Sequence, residues 1–356
     1  MSRITINDIA KAAGVSKTTV SLVLNNKANA SISQATRERI MELVRHYAYT
    51  PMQSARALST HSQRTIGYFI ADDITGGFAN IYFATFLNGI EEECKRNGYM
   101  LNVGLFNFTN IDRFILPSPV SAACVDGFII SGYVEDRILE KLISTQRPCV
   151  CIGDYMSKSD NLCTISIDTI QGKLILLKHI AAKGRHRVLF PVRNTVRDKL
   201  EIERMDHALR NTPELKDLQI EYYFEEDRDL CQTAERLVKR HLELPEAKRP
   251  TLYFTHDQLC IELKLKFESV GLTCPRDVSL VSAIATDLCR FTSPAITGLT
   301  ASLKDIGIYA ARLLINHIQS GKRPGFSDSK NDFQGELFLG GSIADLNASQ
   351  GPSMAP

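Results

Sequence analysis

Between Thr5 and Leu24 the chain encodes two short helices on either side of a single glycine, Gly14. Thr5 and Asp8 stand three apart, the spacing of a helix start in which each end bonds the other. Ile6, Ile9, Ala10 and Ala13 then fall on one helical face. Gly14 follows where that face ends, and glycine accepts the positive φ that such an ending needs. Ser16 can cap a second helix running to about Leu24, with Val20, Val23 and Leu24 turned inward. So short a connection leaves the two helices little choice but to pack across each other as a helix-turn-helix. A third helix, capped by Ser33, carries its apolar stripe at Ile40, Leu43, Val44 and Tyr47.

In a helix-turn-helix the second helix lies in the major groove of DNA and shows its first residues to the base edges. Those residues are Lys17, Thr18, Ser21 and Leu22. Lys17 can donate to guanine, Thr18 can bond a base or touch a thymine methyl, and Leu22 offers apolar contact alone. Ser16, Thr19 and Asn25 are placed for phosphates, which orient a protein without reading sequence. Charge agrees with this. Residues 1–62 hold eight Lys/Arg against three acids, a net +5, while the whole chain carries +2 and the remainder therefore −3. A basic head on a mildly acidic body suits a polyanionic partner, although a small three-helix domain that binds another protein fits the helices alone.

The segment Asp8-Ile-Ala-x-x-Ala-Gly-Val-Ser16-x-x-Thr19-Val-Ser21-x-Val-Leu-Asn25 resembles the DNA-binding head of the LacI-type (lactose-repressor) family. The likeness continues through Ser33-x-x-Thr36-Arg37-x-x-Ile40 and Tyr49-x-Pro51. Leu22 departs from the pattern, since many members carry Arg there; a leucine cannot make the bidentate guanine contact, so base preference at that position differs. After Thr50, Pro51–Leu58 can form a helix of about eight residues, too short to stand alone in water. The resemblance makes this the hinge helix, which orders on DNA beside its copy from a second subunit. Leu58, with Ala55, then takes the minor-groove position, where an apolar wedge unstacks and bends the duplex. A plain linker with Leu58 packed on the body is the other reading.

From Thr65 onward strand-like and helix-like stretches alternate. Ile66–Ile70, Tyr99–Leu105, Phe128–Ser131, Val150–Gly153, Val188–Pro191, Leu252–Thr255 and Leu280–Ala283 read as strands. Helical patterns include Ala79–Asn97, Gly172–Lys183, Asp229–His241, Gln258–Val270 and Leu303–Ser320. That order implies parallel sheets covered by helices on both faces. About 290 residues is large for one such sheet, so two lobes with a ligand cleft between them are expected. Pro117 and Pro119 interrupt the helix expected between Leu105 and Val125. This body, too, resembles the family's ligand-binding domain, at Ile66-Gly-x-x-Ile70-x-Asp72-Asp73, Val125-Asp126-Gly127, Asp168-x-x-x-Gly172, His256-Asp257 and Pro275-x-Asp277. The fold expected is an all-α helix-turn-helix head with an α/β, periplasmic-binding-protein-like body of two lobes. The boundaries are 1–48 for the head, 49–62 for the hinge, 63–342 for the body and 343–356 for a disordered tail.

The resemblance also exposes departures. Sugar-binding members usually place an Arg where Glu201 stands, an Asn-Asp pair where His256-Asp257 stands, and an Asp pair where Ile284-Ala285 stands. A buried polar site must match its ligand group for group, so a common sugar or purine is not the expected effector. Asp73, Phe78, Asp154, Asp168, Glu201, His256 and Asp257 are the pocket candidates. Asp168 and Asp257 can equally cap helices, Phe78 can belong to the core and His256 can be structural.

Other classes fit less well. The motifs G-x-S-x-G, G-x-x-x-x-G-K-[ST], H-E-x-x-H and G-x-G-x-x-G are absent, so no enzyme is expected, nor any cofactor or metal. Nine cysteines without a CxxC pair read as reduced thiols of a cytoplasmic protein. No stretch reaches the roughly 20 apolar residues of a membrane span. A transport-type binding protein would lack the head. The expectation is a sequence-specific transcription regulator: a homodimer on double-stranded operator DNA, acting as a repressor and answering a small-molecule effector. A regulator with a degenerate, ligand-independent body is the alternative. Under the hinge reading, Leu58→Ala weakens binding to a specific site while sparing weak non-specific binding; an equal fall in both titrations rules out the wedge.

Overall fold

The computed structural model describes residues 4–24, 32–49, 62–74, 76–153, 162–167, 169–193, 196–225, 229–333 and 335–347. Two units separate at Arg64/Thr65. The first holds α1 (Ile6–Ala13), α2 (Lys17–Leu24) and α3 (Gln34–His46). Asp8 accepts from the Thr5 amide at 2.9 Å and from the Thr5 hydroxyl at 2.7 Å, closing the start of α1. Gly14 ends it at φ 66°, and the Val15 amide returns to the Ala10 carbonyl. Ser33 caps α3 by accepting from the Thr36 amide. Ile9, Ala10, Ala13, Val20, Val23 and Ile40 form the buried centre. Tyr47, expected on the inner stripe, is instead exposed just past α3, and Tyr49 packs against the core. The chain turns at Tyr47, which takes the helix's period with it.

The second unit contains two six-stranded sheets. The first lobe orders its strands β11-β5-β4-β3-β1-β2, with β1 (Thr65–Ala71), β2 (Met100–Phe106), β3 (Gly127–Ser131), β4 (Cys149–Ile152), β5 (Cys163–Ile167) and β11 (Lys330–Phe333). The second orders them β12-β10-β9-β8-β6-β7, with β6 (Arg187–Arg193), β7 (Gln219–Glu225), β8 (Leu252–Thr255), β9 (Ser279–Ser282), β10 (Thr297–Thr300) and β12 (Glu336–Phe338). All pairings are parallel except β10 with β12. Residues Gly127–Ser131 and Cys149–Ile152 are buried throughout, as central parallel strands covered on both faces must be.

Helices cover both faces of each sheet. α4 (Ile81–Arg96) and α11 (Leu303–Ser320) bury Phe86, Ile90, Ile306 and Leu314 on one side of the first lobe. α5 (Ser118–Ser121) and α6 (Asp136–Ser144) bury Val120, Ile138 and Leu142 on the other. As the prolines imply, the segment before β3 holds only a turn of 3-10 helix at Ile111–Arg113 and the one-turn α5. In the second lobe α9 (Leu230–Glu243) and α10 (Asp257–Ser269) cover one face; α7 (Thr169–Ala182) and α8 (Val196–Arg210) cover the other. Seven cysteines are buried, while Cys124 and Cys231 are exposed. Among the described residues no helix is long and apolar enough to cross a membrane.

The chain passes between lobes after β5, after β10 and between β11 and β12. It also stays packed beyond Ser342: Ile343 is buried, and the Leu346 amide donates to the Lys183 carbonyl at 3.0 Å. Residues 343–347 of the expected tail are therefore folded onto the body, because Ile343 supplies an apolar anchor; 348–356 lie outside the described residues.

α4 and α11 approach closely at Gly89 and Gly307. A Cβ on Gly89 would overlap the Lys304 carbonyl oxygen, and one on Gly307 the Phe86 carbonyl oxygen. Beside this contact Arg312 donates to the buried Glu93 at 3.0 and 3.2 Å. Gly89→Ala is therefore expected to lower stability by about 1–3 kcal/mol through overpacking, despite alanine's better helix propensity. Thermal unfolding checks this, and an unchanged or raised Tm contradicts the close contact.

Candidate functional site

The first unit presents one helix end outward. Val20 and Val23 anchor α2 in the core, so its opposite side and first turn face solvent. Lys17 and Thr18 are exposed there, while Ser21 and Leu22 are half-buried. Ser16 accepts from the Thr19 amide at 3.1 Å, and the two hydroxyls lie 2.9 Å apart. The expected base-reading residues thus share the outer side of α2, and Ser16 and Thr19 cap its start. Asn25, Ala55 and Leu58, expected at phosphate and minor groove, lie outside the described residues, as does the hinge segment 50–61.

The second unit holds a cleft of about 1140 Å³ between its lobes. Its walls come from the carboxyl ends of strands in both sheets: Asp72 and Asp73 after β1, Tyr133 after β3, Arg193 at the end of β6, His256 after β8 and Ile284 after β9. Ligands of open α/β sheets bind at such ends.

Four expected pocket residues line this cleft: Asp73, Glu201, His256 and Asp257. Phe78 does not; its ring lies 5.8 Å from that of Tyr68, packed against the first lobe's core. Asp154 and Asp168 lie outside the described residues. Glu201 is ion-paired with Lys173. The capping role open to Asp257 belongs to His256, whose Nδ1 accepts from the Leu259 amide at 3.4 Å. A ring nitrogen that accepts is unprotonated, and desolvation in the cleft holds the His256 pKa below its ordinary value. Asp257, one residue later, is buried and accepts from the Thr286 hydroxyl and from the Gln258 amide at 2.7 Å.

Sequence reading missed Lys173, Arg193, Asp198, Tyr222 and Glu225, all on the cleft. Lys173 carried a usable signal, since it follows Gly172 at the start of α7. Glu225 carried none: it ends β7, an edge strand whose apolar residues are interrupted by Glu221 and Glu225. Desolvation raises its pKa to about 7, with Asp198 adding to the rise and Arg193 and Arg236 opposing it.

Comparison with known proteins follows both units. The profile of bacterial regulatory proteins of the lacI family matches residues 5–52, and that of a periplasmic binding protein-like domain matches 177–328. The HTH-type transcriptional repressor PurR of Aliivibrio fischeri is 26% identical over 321 residues, covering 88% of this chain and 92% of the relative. The HTH-type transcriptional regulator MalR of Staphylococcus xylosus is 28% identical, covering 89% and 92%. Among solved structures, the lac repressor dimer bound to operator and the anti-inducer ONPF shares the fold with a TM-score of 0.78 at 18% identity, covering 96% of this chain and 100% of that one.

A raised carboxylate pKa has a defined effect on stability. The folded chain holds the Glu225 proton up to about pH 7, the unfolded chain only to about its ordinary value of 4.5. Stability from this group therefore falls as pH rises between those values and stays low above. Glu225→Gln removes the penalty. The Tm of the variant is expected to exceed that of the parent at pH 8 and to match it near pH 4.5; an equal gap at both pH values contradicts the assignment.

Proposed function

The chain belongs to the lacI family of bacterial regulatory proteins, and we propose that it represses transcription as a homodimer on a near-palindromic operator, under control of a small molecule in the interlobe cleft. The observation that carries the reading is the exposed first turn of α2. Lys17 and Thr18 stand clear of a core that buries Val20 and Val23, so the helix can enter a major groove without rearranging its domain.

Two heads then occupy successive major grooves, with Ser16, Thr19 and Asn25 on phosphates and Lys17, Thr18, Ser21 and Leu22 on base edges. Ala55 and Leu58 of each hinge meet in the central minor groove. The lac repressor, a relative in fold, is described as a dimer on its operator, which supports the same arrangement here. Ligand in the cleft contacts both lobes, so it favours whichever lobe arrangement it fits better, and that preference changes operator affinity. Asp73, Glu201, His256 and Asp257 contact it, with Asp154 and Asp168 assigned to the same site on the resemblance. Such a protein works in the cytoplasm, where its DNA is.

Selection of binding sites from a randomised duplex pool, by the full chain and by Lys17→Ala, tests this. The parent is expected to enrich a palindrome. The variant is expected to lose preference at one base pair in each half-site, a loss of about 1–3 kcal/mol there. The same motif from both proteins contradicts base reading by Lys17.

A further inference from the structure

Two contacts join the lobes across the cleft. Asn80 caps α4 in the first lobe, where its Oδ1 accepts from the Tyr82 amide at 3.1 Å. That bond fixes which end of the Asn80 amide is the donor, and its Nδ2 donates to Gln258 Oε1 of the second lobe at 3.3 Å. Gln258 stands in the first turn of α10. Both side chains line the cleft, and their bond is partly shielded from water. Ile284, after β9, makes the other contact. Its loop belongs to the second lobe, yet its half-buried side chain packs against the buried cluster of the first.

The second lobe holds both of these side chains on a fixed support. The Ser282 hydroxyl donates to the Ile284 carbonyl at 2.7 Å, and the Ala285 amide donates to the Leu299 carbonyl at 2.7 Å. The loop is thus tied to β9 and β10 on either side of Ile284. Gln258 follows His256, which caps α10, and Asp257, which is buried. The Thr286 hydroxyl donates to Asp257, so the loop that carries Ile284 is bonded to the helix that carries Gln258.

From this arrangement we infer that Asn80, Gln258 and Ile284 form a latch that holds the lobes together with no ligand in the cleft. Parting the lobes breaks the amide–amide bond and returns the apolar surface of Ile284 to water. Because the two contacts share one support, they are made and lost together. The chain therefore has a latched and an unlatched arrangement before any small molecule arrives. A ligand that needs the lobes further apart binds the unlatched fraction alone, and its apparent affinity is lowered by that fraction. The inference goes beyond the proposed function and depends on neither the operator nor the effector.

Hydrogen–deuterium exchange of the full chain, without DNA or small molecule, tests the latch by changing one lobe and reading the other. Gln258→Ala and Ile284→Ala alter the second lobe. Each is expected to raise exchange about threefold to tenfold at the amides of residues 82–85, the start of α4 in the first lobe. Exchange in β8 and β9, core strands of the altered lobe, is expected to match the parent. Asn80→Ser keeps a capping oxygen on α4 but is too short to reach Gln258. It is expected to raise exchange to a similar extent at residues 259–262 of the second lobe. Faster exchange confined to the altered lobe overturns the latch, because the side chains then support only their own lobe. A response to one of Gln258→Ala and Ile284→Ala without the other also overturns it, since the two contacts then act separately. Unchanged exchange in all three variants overturns it as well, because the lobes then stay together without these contacts.

Discussion

Three passages of the chain between two parallel sheets set the geometry on which the second unit depends. Each sheet is built in the same sense, so the loops at the strands' carboxyl ends come together in one cleft. The passage after β10 carries α11 back to the first lobe, where it lies against α4 with glycine on both sides. Backbone touches backbone there, and the Arg312–Glu93 pair flanks the contact. Such packing has few alternative arrangements. The first lobe is thereby closed by a helix that follows a strand of the second.

The first unit solves a different problem with the same economy of burial. Six small and branched side chains make its centre, and α2 contributes Val20 and Val23 to it. The exposed Lys17 and Thr18 are therefore not residues that hold the fold. Their identity can vary without loss of the domain. Leu22, half-buried at the rim of this face, stands between the two groups.

Legibility followed how local each cause was. The start of α1 and its end at Gly14 were readable because the Thr5–Asp8 bonds and the positive φ are decided within a few residues. β3 and β4 were readable because a strand buried on both faces is an unbroken apolar run. β7 was not: its exposure breaks step at Tyr222 and Tyr223, and Gln219, Glu221 and Glu225 interrupt its apolar residues. The cap before α10 fell to His256 rather than Asp257, a shift of one residue that only the path of the chain out of β8 decides. In the cleft, Glu201 was found by resemblance, while its pairing with Lys173, which sits on a different helix, is set only by the fold of the lobe. Charge balance in the cleft is likewise a tertiary property, since its carboxylates come from both lobes and from separate elements.

The central claim is that the outward face of α2 reads sequence rather than merely charge. The most direct measurement is the ratio of affinities of the full chain for its selected palindrome and for a scrambled duplex of the same composition, by fluorescence anisotropy at near-physiological salt. A sequence reader gives a ratio of about 10³ or more. A ratio near one, with both affinities falling steeply as salt rises, would mean that the basic head holds phosphates alone.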